Sequence, residues 1–343
     1  MRATIIHGAG DLRIEEFALS DLAPDDIRVR IRAGGICGSD LHYYRHGGFG
    51  TVRVVNPMVL GHEVAGIVEA VGRDVANVAV GDHVAVNPSL PCQACAYCLA
   101  GMPNHCLDMR FYGSAMRNPH VDGAFREQLV CKARQAVIVP KALPLSSAAF
   151  AEPLSVCLHA VAAAGSLVGK RVLVSGLGPI GQLAVLAARH AGAQEIIATD
   201  LIAEPVALAR RTGADRAIDL SREPEGLQDY ALGKGQIDVV LEASGSSQAL
   251  VSALAVVRPR GTIVQIGLGN DAPLPMGPIV TKEIALRGSF RFHDEFAWAA
   301  DLLGRGAIDV TPLLSHVLPF AEAHKAFEIA GDRHASMKVQ LEF

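Results

Sequence analysis

Four cysteines, Cys92, Cys95, Cys98 and Cys106, fall within fifteen residues of one another. Four sulfurs in one short, turn-rich loop describe a closed tetrahedral Zn²⁺ site, which holds a loop together and leaves no position for a reactant. An iron–sulfur cluster would use the same ligand type, but the spacing matches neither common ferredoxin pattern. Reduced, unmetallated thiols are hard to sustain at this density.

A second constellation is Gly176-Leu177-Gly178-Pro179-Ile180-Gly181, which follows the apolar run Val172-Leu173-Val174-Ser175 and opens an apolar-periodic helix. Asp200 closes the next strand-like run 19 residues after Gly181. This is a dinucleotide fingerprint in its full context. The first glycine permits the turn, the second admits a pyrophosphate to the backbone and the third lets helix and strand pack closely, while the helix N-terminus faces the phosphates. A carboxylate at Asp200 accepts hydrogen bonds from ribose hydroxyls and repels a 2′-phosphate. Leu201, Ile202 and Ala203 offer no cation to such a phosphate, so NAD is expected rather than NADP. A plain strand-end acid is the competing reading of Asp200, and it would leave the fingerprint incomplete.

A third set is dispersed. Cys37 lies in Gly34-Gly35-Ile36-Cys37-Gly38-Ser39-Asp40-Leu41-His42, His62 and Glu63 in Gly61-His62-Glu63-Val64-Ala65-Gly66, and Glu152 in Ala151-Glu152-Pro153. Spacing alone does not unite them. Taken singly, a cysteine in a glycine-rich loop is more often inert and a lone histidine more often a satisfied core or surface residue. Ser39 and Asp40 also read as N-caps of a short helix through His42 and Tyr43.

The elements that must position these residues follow from length and pattern. At 343 residues the chain exceeds what one core usually supports, so two domains are expected. Half the residues are apolar and the formal charge is −4, which gives no electrostatic footprint for nucleic acid. Met1 to Gly10 lacks the basic and apolar regions of an export signal, so the cytoplasm is the expected location. Ala142–Gly169 and Val172–Ala188 are apolar enough to resemble membrane spans. Pro144, Glu152, Pro153 and His159 interrupt the first and several glycines and Pro179 the second, so both read as buried core and no membrane partner is expected.

Up to about Val139 the runs are short and β-like, as in Ile27-Arg28-Val29-Arg30-Ile31. Beyond Pro144 helices and strands alternate: helix Leu154–Ala164, strand Arg171–Ser175, helix Ile180–His190, strand Glu195–Asp200, helix Pro205–Thr212, then strands near Val239–Leu241 and Thr262–Ile266. That alternation implies βαβ units and a parallel, doubly wound sheet. From about Arg287, helices Glu295–Leu303 and Phe320–Ile329 and a strand Lys338–Phe343 read as a return to the first domain.

The run Gly61-His62-Glu63-x2-Gly66-x5-Gly72-x2-Val75, with the cysteine lobe and the Gly176–Gly181 fingerprint, resembles the zinc-containing medium-chain dehydrogenases over essentially the whole chain. The resemblance implies an α/β fold: a GroES-like, β-rich catalytic domain (1–147 and 287–343, with the structural zinc lobe at about 90–110) interrupted by a Rossmann domain (148–286). It implies two zincs per subunit. Cys37 and His62, with Glu63 or Glu152, match the family's catalytic ligands, and Cys92, Cys95, Cys98 and Cys106 its structural ones. Ser39 matches the hydroxyl that takes the proton of the substrate alcohol and passes it through the coenzyme ribose to His42. Hydride then goes to NAD.

The stretches around Gly38–Tyr44, Met58–Glu63, Arg110–Met116, Pro119–Gly123 and Leu286–Phe292 are most similar to the sorbitol dehydrogenase branch, and within it to L-idonate 5-dehydrogenases. What this implies is oxidation of a secondary alcohol on a polyhydroxy acid, L-idonate to 5-keto-D-gluconate. The alternatives are a sorbitol or polyol dehydrogenase, or a catalytically inactive cofactor-binding relative. Tyr43, Glu152 and Arg291 match the branch's substrate-contacting positions. A substrate carboxylate calls for a cation, with Arg291, Arg110, Arg117, Arg45 and His46 as candidates. A homo-oligomer, most often a tetramer in this branch, is the expected assembly.

Overall fold

The alternation Ile27-Arg28-Val29-Arg30-Ile31 forms a strand in which Ile27, Val29 and Ile31 are sealed from solvent while Arg30 faces outward. The computed structural model describes residues 1–269 and 273–343 and builds a sheet around this strand. In chain order the elements are β1 (Arg2–Gly8), β2 (Asp11–Glu16), β3 (Asp26–Gly35), α1 (Gly38–His46), β4 (Met58–Val59), β5 (Glu63–Val71), β6 (His83–Val86), β7 (Gln128–Lys132) and β8 (Ala136–Ile138). β1 pairs antiparallel with β2 and β4, and β3 antiparallel with β5 and β7. β5, β6 and β8 follow one another by antiparallel pairing. Ile6, Val29, Leu60, Leu129 and Phe125 meet in the core beneath.

Helix α2 (Ala151–Ala164) carries the chain onward to β9 (Arg171–Ser175), α3 (Pro179–His190), β10 (Glu195–Asp200), α4 (Ala203–Thr212), β11 (Arg216–Asp219), β12 (Ile237–Glu242), α5 (Ser247–Val256), β13 (Val257–Gln265) and β14 (Ala285–Gly288). Their order across the sheet is β11-β10-β9-β12-β13-β14, and every neighbouring pair is parallel. Numbered from β9, that is the 3-2-1-4-5-6 order of a dinucleotide-binding sheet, with its switch point between β9 and β12. Strands buried on both faces need continuous apolar runs, which Val172-Leu173-Val174 and Ile196-Ile197-Ala198 supply.

The chain then passes through α6 (Glu295–Gly304), β15 (Leu314–Pro319), α7 (Ala323–Ala330) and β16 (Lys338–Glu342). β16 pairs parallel with β15 and antiparallel with β3, so the last strand joins the first sheet. Two units result: Met1–Glu152 with Phe296–Phe343, and Pro153–Glu295. The exchanges fall in the first turns of α2 and α6. The exchanges expected at 147/148 and 286/287 fall ahead of these, the first before α2 and the second within β14.

Among the described residues one helical segment, Leu145–Ala164, is long and apolar enough to cross a membrane, and 72% of its apolar window is buried inside the protein. Deep burial is what the polar interruptions in Ala142–Gly169 led one to expect.

Packing in the second unit shows how a loop cation finishes a helix. Lys282 Nζ donates to the carbonyl oxygens of Leu254 and Ala255 at 2.9 Å each and of Val257 at 3.0 Å, satisfying acceptors that α5 leaves open at its C-terminus. Lys282→Met is expected to lower unfolding free energy by about 1–2 kcal/mol, measured by urea denaturation. An unchanged midpoint would show that the three carbonyls are equally well served by water.

Candidate active site

Helix α1 begins at Gly38, two residues earlier than a cap at Ser39 and three earlier than a cap at Asp40 would allow, with Cys37 as the N-cap residue. Asp40 lies instead in the first turn. Its Oδ2 accepts the Cys37 N–H at 3.0 Å and its Oδ1 accepts the Gly61 N–H at 3.2 Å. One buried carboxylate therefore fixes the two loops that carry Cys37 and His62, and its Oδ1 lies 3.8 Å from His62 Nδ1. Gly61 makes the approach possible. Its φ of +92° suits glycine, and a Cβ there would land on the Phe125 ring.

The consequence is that Cys37, His62 and Glu63, dispersed over 27 positions of sequence, each place one donor atom within 4.8 Å of the others. Glu152, at the start of α2, is buried and close enough for its charge to be felt by Cys37, His62 and Glu63. Lys338, from β16, is only 3% exposed and ion-pairs with Glu63. His62 Nδ1 is buried without a hydrogen bond.

Burial, reinforced by the neighbouring Glu63, pushes the Cys37 thiol up to about 12. Burial likewise pushes the Glu152 carboxyl up to about 8, with Glu63 and Cys37 adding to the rise against the opposing pull of His62. Thiolate and carboxylates persist at this depth only beside compensating positive charge. A soft sulfur, an imidazole and a carboxylate converging on one point are a donor set suited to Zn²⁺ with a position left open. The residues present fit that ion.

The Ser39 side chain lies close enough to the Cys37 thiol to oppose part of that rise. His42, one turn further along α1, is exposed, and partial desolvation with the nearby His46 holds its imidazole below the ordinary value. Tyr43 is 2% exposed, its hydroxyl accepting the Ala115 N–H at 3.1 Å, and its ring lies 5.4 Å from that of Phe49.

The four lobe cysteines converge as well, with all four sulfurs within 4.8 Å. Cys106 Sγ accepts the N–H groups of Cys92 and Asp108 at 3.2 and 3.3 Å, and Cys92 Sγ accepts that of Cys95 at 3.3 Å. Backbone N–H groups aimed at sulfur favour thiolate, and those of Cys98 and Leu107 bring the Cys95 thiol down to about 6. Arg117 fastens the end of the lobe, donating to Met109 O at 2.7 Å and Leu107 O at 3.0 Å and pairing with Asp108 at 2.7 Å. Its guanidinium is committed there. Arg45, His46 and Arg110 are exposed. Arg291, in the second unit, has a φ of +57° and lies 4.9 Å over the Phe290 ring.

At the switch point of the parallel sheet, Gly176 turns at φ +84°, where a Cβ would strike Ser244 at the end of β12. Gly178 precedes α3 with open space where its side chain would be, Pro179 is the first helical residue with Ile180 behind it, and a Cβ at Gly181 would land on the Gly176 carbonyl oxygen. Asp200 is buried, with Oδ2 accepting the Leu177 N–H at 2.6 Å and Oδ1 those of Leu201 and Ile202 at 2.7 and 3.1 Å. The carboxylate thus ties the glycine turn to the end of β10, the position where the fingerprint expects its acid.

Two site residues were not assigned by sequence: Asp40 beyond its capping role, and Lys338. The signal for Lys338 was a single cation inside the closing strand Lys338–Phe343, and only the pairing with β3 shows that it points inward.

A parallel 3-2-1-4-5-6 sheet with a glycine turn at its switch point in one unit, and two groups of side chains that could hold a metal in the other, are the features of a two-unit zinc dehydrogenase. The comparisons agree: residues 23–141 match the alcohol dehydrogenase GroES-like domain and 179–305 the zinc-binding dehydrogenase domain. L-idonate 5-dehydrogenase (NAD(P)(+)) of Escherichia coli K-12 is 44% identical over 92% of this chain and 91% of its own. The crystal structure of L-idonate 5-dehydrogenase from that organism superposes with a TM-score of 0.96 at 42% identity, covering 100% of this chain and 98% of the other. Sorbitol dehydrogenase of Bacillus subtilis is 36% identical over 96% of this chain and 93% of its own. A zinc-binding dehydrogenase from Sinorhizobium meliloti, solved with NADP, has a TM-score of 0.89 at 30% identity over 100% of this chain and 99% of the other. The chain belongs to the zinc-binding, GroES-like alcohol dehydrogenase family.

Asp40→Asn should keep the fold but loosen both loops, weakening metal retention at the Cys37–His62 site about 10–100-fold. Zinc analysis after dialysis against a chelator measures this, and Cys92→Ser should in contrast lose the other metal. Equal zinc retention in Asp40→Asn and the parent protein would dismiss Asp40 as the loop tie.

Proposed function

We propose that this protein oxidises the C5 alcohol of L-idonate to 5-keto-D-gluconate with NAD⁺ as acceptor. The observation that carries the proposal is the convergence of Cys37, His62 and Glu63, with Glu152 buried beside them, in a chain 44% identical to an L-idonate 5-dehydrogenase. In this reading Cys37 and His62, with Glu63 or Glu152 as the carboxylate, hold the catalytic zinc, and Cys92, Cys95, Cys98 and Cys106 the structural one. Bound there, zinc supplies a Lewis acid for the charge developing on an alcohol oxygen, and NAD⁺ supplies the place for the hydride.

The chain's own residues do the rest. Ser39, its hydroxyl against the Cys37 thiol, is placed to take the proton of an alcohol presented to that donor set. His42 is a neutral, solvent-facing base one turn away, suited to deliver a proton to water. Tyr43 and Glu152 contact the substrate in this reading, and Arg291 pairs with its carboxylate. The unusual backbone of Arg291 supports that role, since a left-handed arginine persists only where its surroundings hold it. Gly176, Gly178, Pro179, Ile180 and Gly181 cradle the pyrophosphate, and Asp200 favours NAD over NADP by its charge.

The 36% identical sorbitol dehydrogenase supports a neutral polyol as the second reading. An inactive cofactor-binding relative is disfavoured by the complete donor set. Location in the cytoplasm and assembly as a homo-oligomer, a tetramer in its simplest form, complete the proposal. β14 is an edge strand, and Met276, Val280 and Phe290 near it are 60%, 68% and 40% exposed, an apolar face suited to a second copy of the chain.

The test is reduction of NAD⁺ and NADP⁺ by purified protein with L-idonate, D-sorbitol, D-gluconate and L-threonine. L-idonate with NAD⁺ should give the highest kcat/KM. A sorbitol value well above it would transfer the assignment to the polyol, and no turnover in zinc-replete protein would leave only the inactive reading.

A further inference from the structure

Lys338 is the residue whose position the proposed chemistry does not yet explain. Its side chain is 3% exposed, its ammonium pairs with Glu63, and it donates to the Ile36 carbonyl oxygen at 3.1 Å. Three strands bring this about. Register places Gly35 of β3 directly opposite Glu63 of β5, and β16 lies on the other side of β3, where Gln340 is opposite Gly35. A Cβ at Gly35 would collide with Glu63 Oε2 and stand 3.0 Å from Lys338 Cε. Glycine at that point leaves the space in which carboxylate and ammonium meet.

Glu63 therefore faces two cation positions, the ammonium of Lys338 and the point on which Cys37 and His62 converge. The same carboxylate cannot give its full charge to both. We propose that Lys338 is a positioning residue that competes with the catalytic metal for Glu63, keeping this ligand exchangeable so that a coordination position opens for the substrate without any loop movement. The inference rests on the reading of Cys37 and His62 as zinc ligands. Its logic is charge balance. Two positive charges from zinc and one from Lys338 offset a thiolate and the carboxylates of Glu63 and Glu152, so removing the ammonium leaves Glu63 buried with the metal as its remaining partner. Asp40 adds a further negative charge, stabilised by the Cys37 and Gly61 N–H groups beside His62, and it does not meet Lys338.

The experiment compares the parent protein with Lys338→Met, Lys338→Arg and Lys338→Met/Glu63→Gln, using zinc release to a chelator and the visible d–d absorption of the Co²⁺-substituted protein without substrate. In Lys338→Met, Glu63 should close onto the metal. Release from the catalytic site should slow about tenfold, the d–d bands should change as a protein carboxylate enters, and kcat should fall more than KM changes. Glu63→Gln in the same chain should return release and spectrum toward the parent values, and Lys338→Arg, which keeps the charge, should match the parent.

Faster release in Lys338→Met, unchanged bands, or failure of Glu63→Gln to reverse the effect would each overturn the proposal. Should Lys338→Met not fold, altered bands in Lys338→Arg would overturn it and parent-like bands would support it. A parent protein that binds zinc only at the four-cysteine lobe would remove the catalytic-metal reading itself, an outcome distinct from the others because it appears before any substitution is made.

Discussion

Negative charge is gathered below the protein surface around Cys37. Asp40, Glu63 and Glu152 are 0%, 1% and 6% exposed, and the charges of Cys37, Glu63 and Glu152 are felt by one another while Lys338 contributes the buried ammonium. Isolated, such carboxylates would be driven to bind protons. The arrangement holds because each acid has a specified counterpart: backbone N–H groups for Asp40, an ammonium for Glu63, and for the site as a whole the dication that the donor set fits. Much of the local architecture serves this balance. α1 starts where Cys37 N–H can reach Asp40, Gly61 adopts a left-handed turn so that its N–H reaches the same carboxylate, and the C-terminal strand returns to β3 to bring in Lys338.

The second unit uses one carboxylate in a comparable way. Asp200 accepts an N–H from Leu177 in the glycine turn and two more at the head of the following loop, tying the ends of β9 and β10 together at the switch point. A charge proposed to select the coenzyme is thus also part of the scaffold that holds the glycine turn proposed to bind the pyrophosphate. Replacing Asp200 to change coenzyme preference would loosen the turn at the same time, so selectivity and binding strength are coupled through a single side chain.

These arrangements were legible in the sequence to different degrees. The parallel sheet was readable because strands such as Val172–Ser175 are short, apolar and followed at once by a helical period, a local signal. The cysteine lobe was readable because its ligands lie within one loop. The Cys37, His62 and Glu63 cluster was not, since the loops that carry Cys37 and His62 meet only through the register of β3 with β5 and the shared carboxylate of Asp40; resemblance to a family supplied what spacing could not. Asp40 looked like a cap because its neighbours Ser39 and Gly38 suit a helix start, and its second role depends on Gly61, 21 positions away. Lys338 opens a terminal strand, where nothing local distinguishes an inward from an outward lysine.

The same distinction bears on the substrate. A sugar acid differs from a neutral polyol by one carboxylate, and a polar group meant to discriminate between them must be a cation not already neutralised. Arg117 fails that condition because Asp108 and two carbonyl groups of the cysteine lobe hold its guanidinium. Arg45, His46 and Arg110 are exposed, where water weakens any pair they form. Arg291 is only partly exposed, and its backbone is held in a conformation that arginine rarely adopts. In the proposed reading, discrimination by a carboxylate partner therefore falls on Arg291. A neutral polyol would forgo the Arg291 contact while keeping the chemistry at the Cys37 and His62 donor set.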